Sequence, residues 1–336
     1  MKTFAVGFVI VALAIAAALW MPRRAARIEP IVVAIAPGPA QPRVSPAEAG
    51  IDPLAIEEAV QYAGPRNTRA LIIGQGGHIV FEKYWDGTTF ETPVDLPEFA
   101  PVLAALVTGT MMSDRLIASL DAPSSNYIPE DANTPLGATT LRELLAQDNT
   151  SLDAAASANR LALVLERVGN QPYQTLVADR LWKPMEAGEL VFAGGGGALR
   201  PKAAGAGCCI RARLGDWMRV GELLANDGVF EGNQFTPPRF VHQMLQPAHQ
   251  DSARGYFTRV DGTFDTQDVA RLESAGKQRL WIVPSLRLTI LRVGGEPPAD
   301  LGWDEATIPD SIIRGSAGWQ PRSASEGVDP NKFAPH

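Results

Sequence analysis

The hydrophobic pattern places strands near both ends of the chain and helices between them. Residues 69–73 and 78–84 are two β-rich runs joined by Gln75-Gly76-Gly77, which predicts a hairpin. Residues 278–283 and 286–293 predict two more strands around a Pro284-Ser285 turn. Apolar spacing predicts helices over 53–62, 102–112, 154–168, 173–181, 216–226, 236–245 and 304–314. Asp52 is the expected N-cap of the first of these helices. Thr140 and Glu143 have capping-box spacing in a further helix over 139–147. Gly194 to Gly197 reads as a flexible loop, and the polar residues 316–336 read as a loose tail. Strands at both ends with helices between predict an α+β fold whose antiparallel sheet is made from both chain ends, plus a helical subdomain.

The N-terminus departs from this pattern. Phe4 to Met21 carries no charge, long enough to cross a bilayer core, with Trp20 at an interfacial position. Residues 1–22 are therefore expected to be a membrane anchor, with a cleaved signal peptide as the alternative. Arg23, Arg24 and Arg27 pull the following segment towards the cytoplasm. Residues 23–46 are rich in Pro and Ala and read as a semi-extended linker. The folded domain is expected over 47–315. A net charge of -7 excludes a nucleic-acid role on electrostatic grounds. Cys208 and Cys209 are adjacent, a spacing that disfavours a disulfide and reads as two buried small hydrophobes rather than a redox pair.

Several segments resemble the serine β-lactamase and penicillin-binding-protein superfamily, in particular its β-lactamase-related amide and ester hydrolases. They are the hairpin from Ala70 to Tyr84, the stretch Asp114-Arg-Leu-Ile-Ala-Ser-Leu-Asp-Ala-Pro123 with Tyr127-Ile-Pro-Glu130, and the helix Thr139-Thr-Leu-Arg-Glu-Leu-Leu145. Asp216-Trp217 with Gly221-Glu-Leu-Leu-Ala-Asn-Asp-Gly228, and Gln278 to Ser285 followed by Leu288 to Arg292, complete the likeness. The resemblance implies an exported domain whose chemistry needs three elements. A Ser-x-x-Lys opening a central helix supplies nucleophile and base, a Tyr-x-Asn or Ser-x-Asn adds a proton carrier, and a Lys-Thr-Gly or His-x-Gly lines the edge strand.

Counting from the matched segments puts those slots on Glu98-Phe99-Ala100-Pro101, Asp153-Ala154-Ala155 and Ser274-Ala275-Gly276. The serine and lysine are absent, so the resemblance implies a degenerate hydrolase. Its cleft is expected around Glu98, Pro101, Asp153, Ala155, Ser274 and Gly276, with no cofactor, no metal and no catalytic residue of the family's kind. A peptide, a cell-wall fragment or a protein is the expected ligand, alongside the membrane. The alternative is a divergent amide or ester hydrolase using Glu98 or another non-standard cleft residue, and a Glu98–Asp153 carboxylate pair would suggest general acid–base catalysis. Ser274-Ala-Gly-Lys277 keeps Ser-x-x-Lys spacing but precedes a strand, and Arg314-Gly-Ser-Ala-Gly318 only approaches a nucleophile elbow. His242 and His249 do not share a helical face. Trp182, Trp217 and Trp281 are expected in the core.

Overall fold

A computed structural model describes residues 30–192, 205–249, 252–266 and 268–320. The hairpin strands β2 (Thr68–Gln75) and β3 (His78–Tyr84) join β9 (Ala270–Ser274), β10 (Gln278–Val283) and β11 (Leu288–Gly294) in one antiparallel sheet. Its order is β3-β2-β11-β10-β9, so the two ends of the chain meet between β2 and β11. The α+β expectation is met.

Alternation along β2 explains why the sheet is covered on both faces. Leu71 and Ile73 join Trp281, Val283, Leu288 and Ile290 beneath the opening helix Pro53–Ala63 and the closing helix Thr307–Gly315. Ala70 and Ile72 face the other way, into the larger core with Leu280, Ile282, Leu291 and Val293. A strand buried on both faces reads as a continuous apolar run, as Ala70-Leu-Ile-Ile73 does. Asp52 caps the opening helix through a 2.9 Å bond from the Leu54 N–H. Trp182, Trp217 and Trp281 are fully buried, as expected.

The helical half surrounds the helix Ala100–Ser113, in which every residue from Ala100 to Met111 is buried. A helix apolar on all sides belongs in a core, and its neighbours Ala154–Gly169, Tyr173–Val177 and Pro238–Met244 enclose it. Thr140 and Glu143 form the expected capping box.

Three expectations need correction. A second, four-stranded sheet in the order β1-β5-β6-β4 is built from β1 (Ile31–Val33), β4 (Pro93–Asp95), β5 (Leu190–Phe192) and β6 (Ile210–Arg213). The later part of the linker is thus packed: Ile31–Val33 pairs with β5, and Arg43 bridges Ile79. The first residues of the tail are docked as well, with the Ala317 N–H on the Gly50 carbonyl at 2.8 Å and a buried Ser316. Cys208 and Cys209 are half-buried and joined to one another. The left-handed backbone of Cys209, at φ 70°, turns its side chain back towards its neighbour, which extended spacing would not allow.

The expected anchor, the Gly194 to Gly197 loop and the tail beyond residue 320 lie outside the described residues. Among the described residues no helix is long and apolar enough to cross a membrane.

Glu222 sits on the helix Leu214–Ala225, facing the β2–β3 turn, and accepts a 2.8 Å bond from Gln41 Nε2. Desolvation raises its carboxyl above the ordinary value of 4.5, against the lowering effect of the Gln41 bond. A carboxyl with a raised folded pKa binds more protons folded than unfolded, so stability falls as pH rises through the window above 4.5. Glu222→Gln is expected to flatten that fall and to stabilise the protein at neutral pH. Denaturant midpoints for both proteins across pH 4 to 8 check it, given that such groups contribute over roughly that range.

Candidate functional site

The start of the central helix is set by a one-turn 3-10 segment, Pro97–Phe99, whose first residue is a proline. Proline is tolerated there because the first N–H groups of a helix have no internal partner, and Pro101 fits the next turn for the same reason. Phe99 is buried edge-on against Trp217 and anchors this turn. Glu98 points outward from it and is exposed.

A cleft of about 210 Å³ opens beside this turn. Glu98 and Pro101 line it from the central helix, Gln147 and Ala154 from the two neighbouring helices, and Arg271 and Glu273 from β9. The segment from Arg254 to Arg259 forms the remaining wall. That segment is irregular, and it is held by the Phe257 N–H on the Leu145 carbonyl at 3.2 Å and by Thr258 Oγ1 donating to the Met244 carbonyl. The structure therefore brings all three slots to one place: Glu98 and Pro101, Ala154, and Glu273 beside Ser274.

Within each slot the side chains divide. Ser274 is buried and its Oγ donates to Glu98 Oε2, so the end of β9 is latched to the start of the central helix. Glu273, one residue earlier on the strand, points into the cleft instead. Asp153 is the N-cap of the helix Ala154–Gly169 and accepts from the Ala156 N–H at 2.7 Å. Its carboxylate is occupied by that cap, and it does not line the cleft with Glu98 as the carboxylate-pair alternative required. Ala155 carries the backbone of Gly207, where an added Cβ would lie 2.3 Å from the Ala155 carbonyl oxygen. Gly276, at φ 71°, forms the β9–β10 turn, and its carbonyl accepts from Arg292. Asp153, Ala155 and Gly276 thus support the site without lining it.

The electrostatics come from residues that the sequence reading missed. Arg271 is nearly buried and lies 3.0 Å from Asp261, 3.4 Å from Glu273 and 3.5 Å from Glu305. Arg259 reaches Asp261 at 3.1 Å and Glu273 at 3.4 Å. Arg254 is exposed and holds Gln147 Oε1 at 3.2 Å. The alternation in Ala270-Arg-Leu-Glu-Ser274 is a strand signal that could have placed Arg271 and Glu273 on one face.

Among the described residues no lysine or tyrosine lines the cleft. Lys277 sits in the β9–β10 turn at φ 56°, and Lys183 pairs with Asp179 at 2.6 Å on a helix surface. Tyr256 is buried beside the cleft wall, and its hydroxyl accepts from Arg142 at 2.7 Å. Ser316, the serine of the near-elbow, is buried and donates to the Ile312 carbonyl at 2.8 Å. His242 lies against Asp227 and His249 against Asp148, far from any shared ligand set. Among the described residues no group of His, Cys, Asp and Glu could hold a metal ion.

The latch can be measured directly. Ser274→Ala removes one hydrogen bond to a charged acceptor, expected to cost about 1.5–3 kcal/mol. Urea unfolding checks this, and a loss below about 0.5 kcal/mol would mean that the bond is replaced by water.

No protein-family model matches the chain, and no curated protein does. Solved structures do. A Bacillus anthracis protein provisionally assigned as a 6-aminohexanoate-dimer hydrolase superposes with a TM-score of 0.66 at 15% identity, over 86% of this chain and 90% of that one. A provisionally assigned β-lactamase from Bacteroides dorei gives 0.62 at 17% identity, over 79% and 99% of the two chains. A penicillin-binding-protein homologue from Caulobacter crescentus gives 0.59 at 12% identity, over 78% and 96%. At these identities the likeness is one of fold: the chain carries the β-lactamase and transpeptidase-like fold.

Proposed function

We propose that this chain is a β-lactamase-like domain that binds a ligand in its cleft instead of hydrolysing it, held at a membrane by its N-terminal segment. One observation carries the reading. Ser274, bonded to the Glu98 turn, and Thr258, in the cleft wall, donate their hydroxyls to Glu98 and to the Met244 carbonyl, and neither touches an amine or a phenol. A serine or threonine hydroxyl is a weak nucleophile without an adjacent base. Glu98 could accept a proton, but the serine bonded to it is buried under the central helix, outside the cleft lining.

The polar walls support, as ligand, a peptide, a cell-wall fragment or a protein segment with polar groups for Arg254, Gln147 and Glu273. The charge-free stretch from Phe4 to Met21 supports the tether, and the fold supports an extracytoplasmic placement of the domain. Fold alone does not assign function, so the cleft must be tested. Calorimetric titration with soluble cell-wall muropeptides is expected to show binding that Ala154→Trp, which fills the cleft, abolishes. Turnover of simple esters is expected at background, with Glu98→Gln unchanged. Turnover that disappears in Glu98→Gln would replace this reading with the divergent-hydrolase alternative.

A further inference from the structure

The joined pair Cys208–Cys209 lies at a mechanically connected point of the site. Gly207, immediately before it, lies backbone to backbone against Ala155 and donates its N–H to Asn159 Oδ1 at 3.0 Å. Ile210, immediately after it, accepts the Leu96 N–H on its carbonyl at 3.4 Å and opens β6. Ala155 adjoins Ala154, a cleft wall, and Leu96 precedes the turn that presents Glu98. Residues 207–210 are therefore a strap joining two walls of the cleft, and the sulfur–sulfur bond sits in its middle. Both cysteines are half-buried rather than enclosed in the core.

We propose that Cys208–Cys209 is a site of reversible thiol–disulfide exchange with a dithiol reductant, and that opening it loosens the strap. The reductant's thiolate attacks one cysteine sulfur, breaking the bond between the two cysteines and forming a mixed disulfide. Its second thiol then displaces that cysteine, and the reductant leaves as its own disulfide. Cys208 and Cys209 take up two electrons and two protons and become free thiols. Cys209 sits at φ 70°, a region that a residue with a Cβ disfavours. Once free, residue 209 returns towards extended backbone, and the Gly207 and Leu96 hydrogen bonds on either side lose their geometry.

The test uses the full-length chain with dithiothreitol as the dithiol. Without reductant, N-ethylmaleimide is expected to add nothing at Cys208 or Cys209. After reduction it adds two labels to that one peptide, and a reduced sample freed of reductant in air before labelling again takes none. Hydrogen exchange at Gly207, Leu96 and residues 155–157 is expected to quicken about tenfold on reduction, while β2, β10 and β11 keep their protection. Cys208→Ser/Cys209→Ser should show the fast exchange without reductant. Labelling of the untreated protein, or exchange indifferent to reduction, would overturn the proposal, as would loss of protection throughout the sheet. The thiol count does not depend on what the cleft binds, so its outcome is separate from that of the binding reading.

Discussion

Arg292→Met is expected to destabilise the fold by roughly 3–5 kcal/mol, because it leaves four carbonyls and the buried Thr68 hydroxyl without their donor. Arg292 is fully buried on β11, on the face that carries Leu288 and Ile290, beneath the opening and closing helices. Nε donates to Thr68 Oγ1 at 3.0 Å, Nη1 to the carbonyls of Gly276 and Lys277, and Nη2 to those of Arg66 and Gly295. The guanidinium also lies over the Trp303 ring at 5.2 Å. Its hydrogen-bond partners include no carboxylate. Burial, and then repulsion from Arg279, pulls its pKa down to about 10, and it remains a cation at neutral pH. Methionine fills similar space but offers no donor, so four carbonyls and a hydroxyl lose a partner at once. Arg292→Lys should recover only part of the loss, since one ammonium cannot reach acceptors spread around all three nitrogens of the guanidinium. Guanidinium chloride unfolding reads both variants, and a loss below about 1 kcal/mol for methionine would show that water replaces the guanidinium.

Asp216→Ala is expected to cost a similar amount, about 3–5 kcal/mol, for a related reason. Asp216 is fully buried in the first turn of the helix Leu214–Ala225. It accepts from the Gly188 N–H at 3.0 Å, and from the Arg213 N–H, Nε and Nη2 at 3.3, 3.0 and 2.7 Å. Truncation leaves Arg213 with the exposed Glu91 as its remaining carboxylate and strands the Gly188 N–H. Arg213→Ala/Asp216→Ala should therefore lose less than the sum of the two single variants. The double-mutant cycle gives the coupling, and additive losses would contradict the pairing.

Much of this architecture was readable from the residues, and what was not has definite physical causes. Ala70-Leu-Ile-Ile73 and Leu288-Thr-Ile-Leu291 signal buried strands because both faces of the sheet are covered. Thr140 and Glu143 mark a helix start because a capping box is local chemistry. The second sheet was not legible, since β1, β4 and β5 have only three residues each, too few for a period to show. At the site, the spacing found the right turns but not the right side chains. A shift of one residue along a strand reverses the face, so Glu273 enters the cleft where Ser274 was expected. On the neighbouring helix it is Ala154 that faces the cleft, while Ala155 meets Gly207. Arg254 and Arg259 lie in a segment without regular structure, where no periodicity points to them. The bond between Cys208 and Cys209 depends on a left-handed residue, and nothing in the neighbouring sequence announces it.

A cleft that binds without hydrolysing carries no hydroxyl that can be acylated or phosphonylated. The most direct measurement is peptide-mapped mass spectrometry of the full-length chain after separate exposure to a fluorophosphonate and to a penicillin. Both reagents are expected to leave the peptides containing Thr258 and Ser274 unmodified. A stoichiometric adduct on either hydroxyl, lost when Glu98 is replaced by glutamine, would contradict the account and make the cleft a working active site.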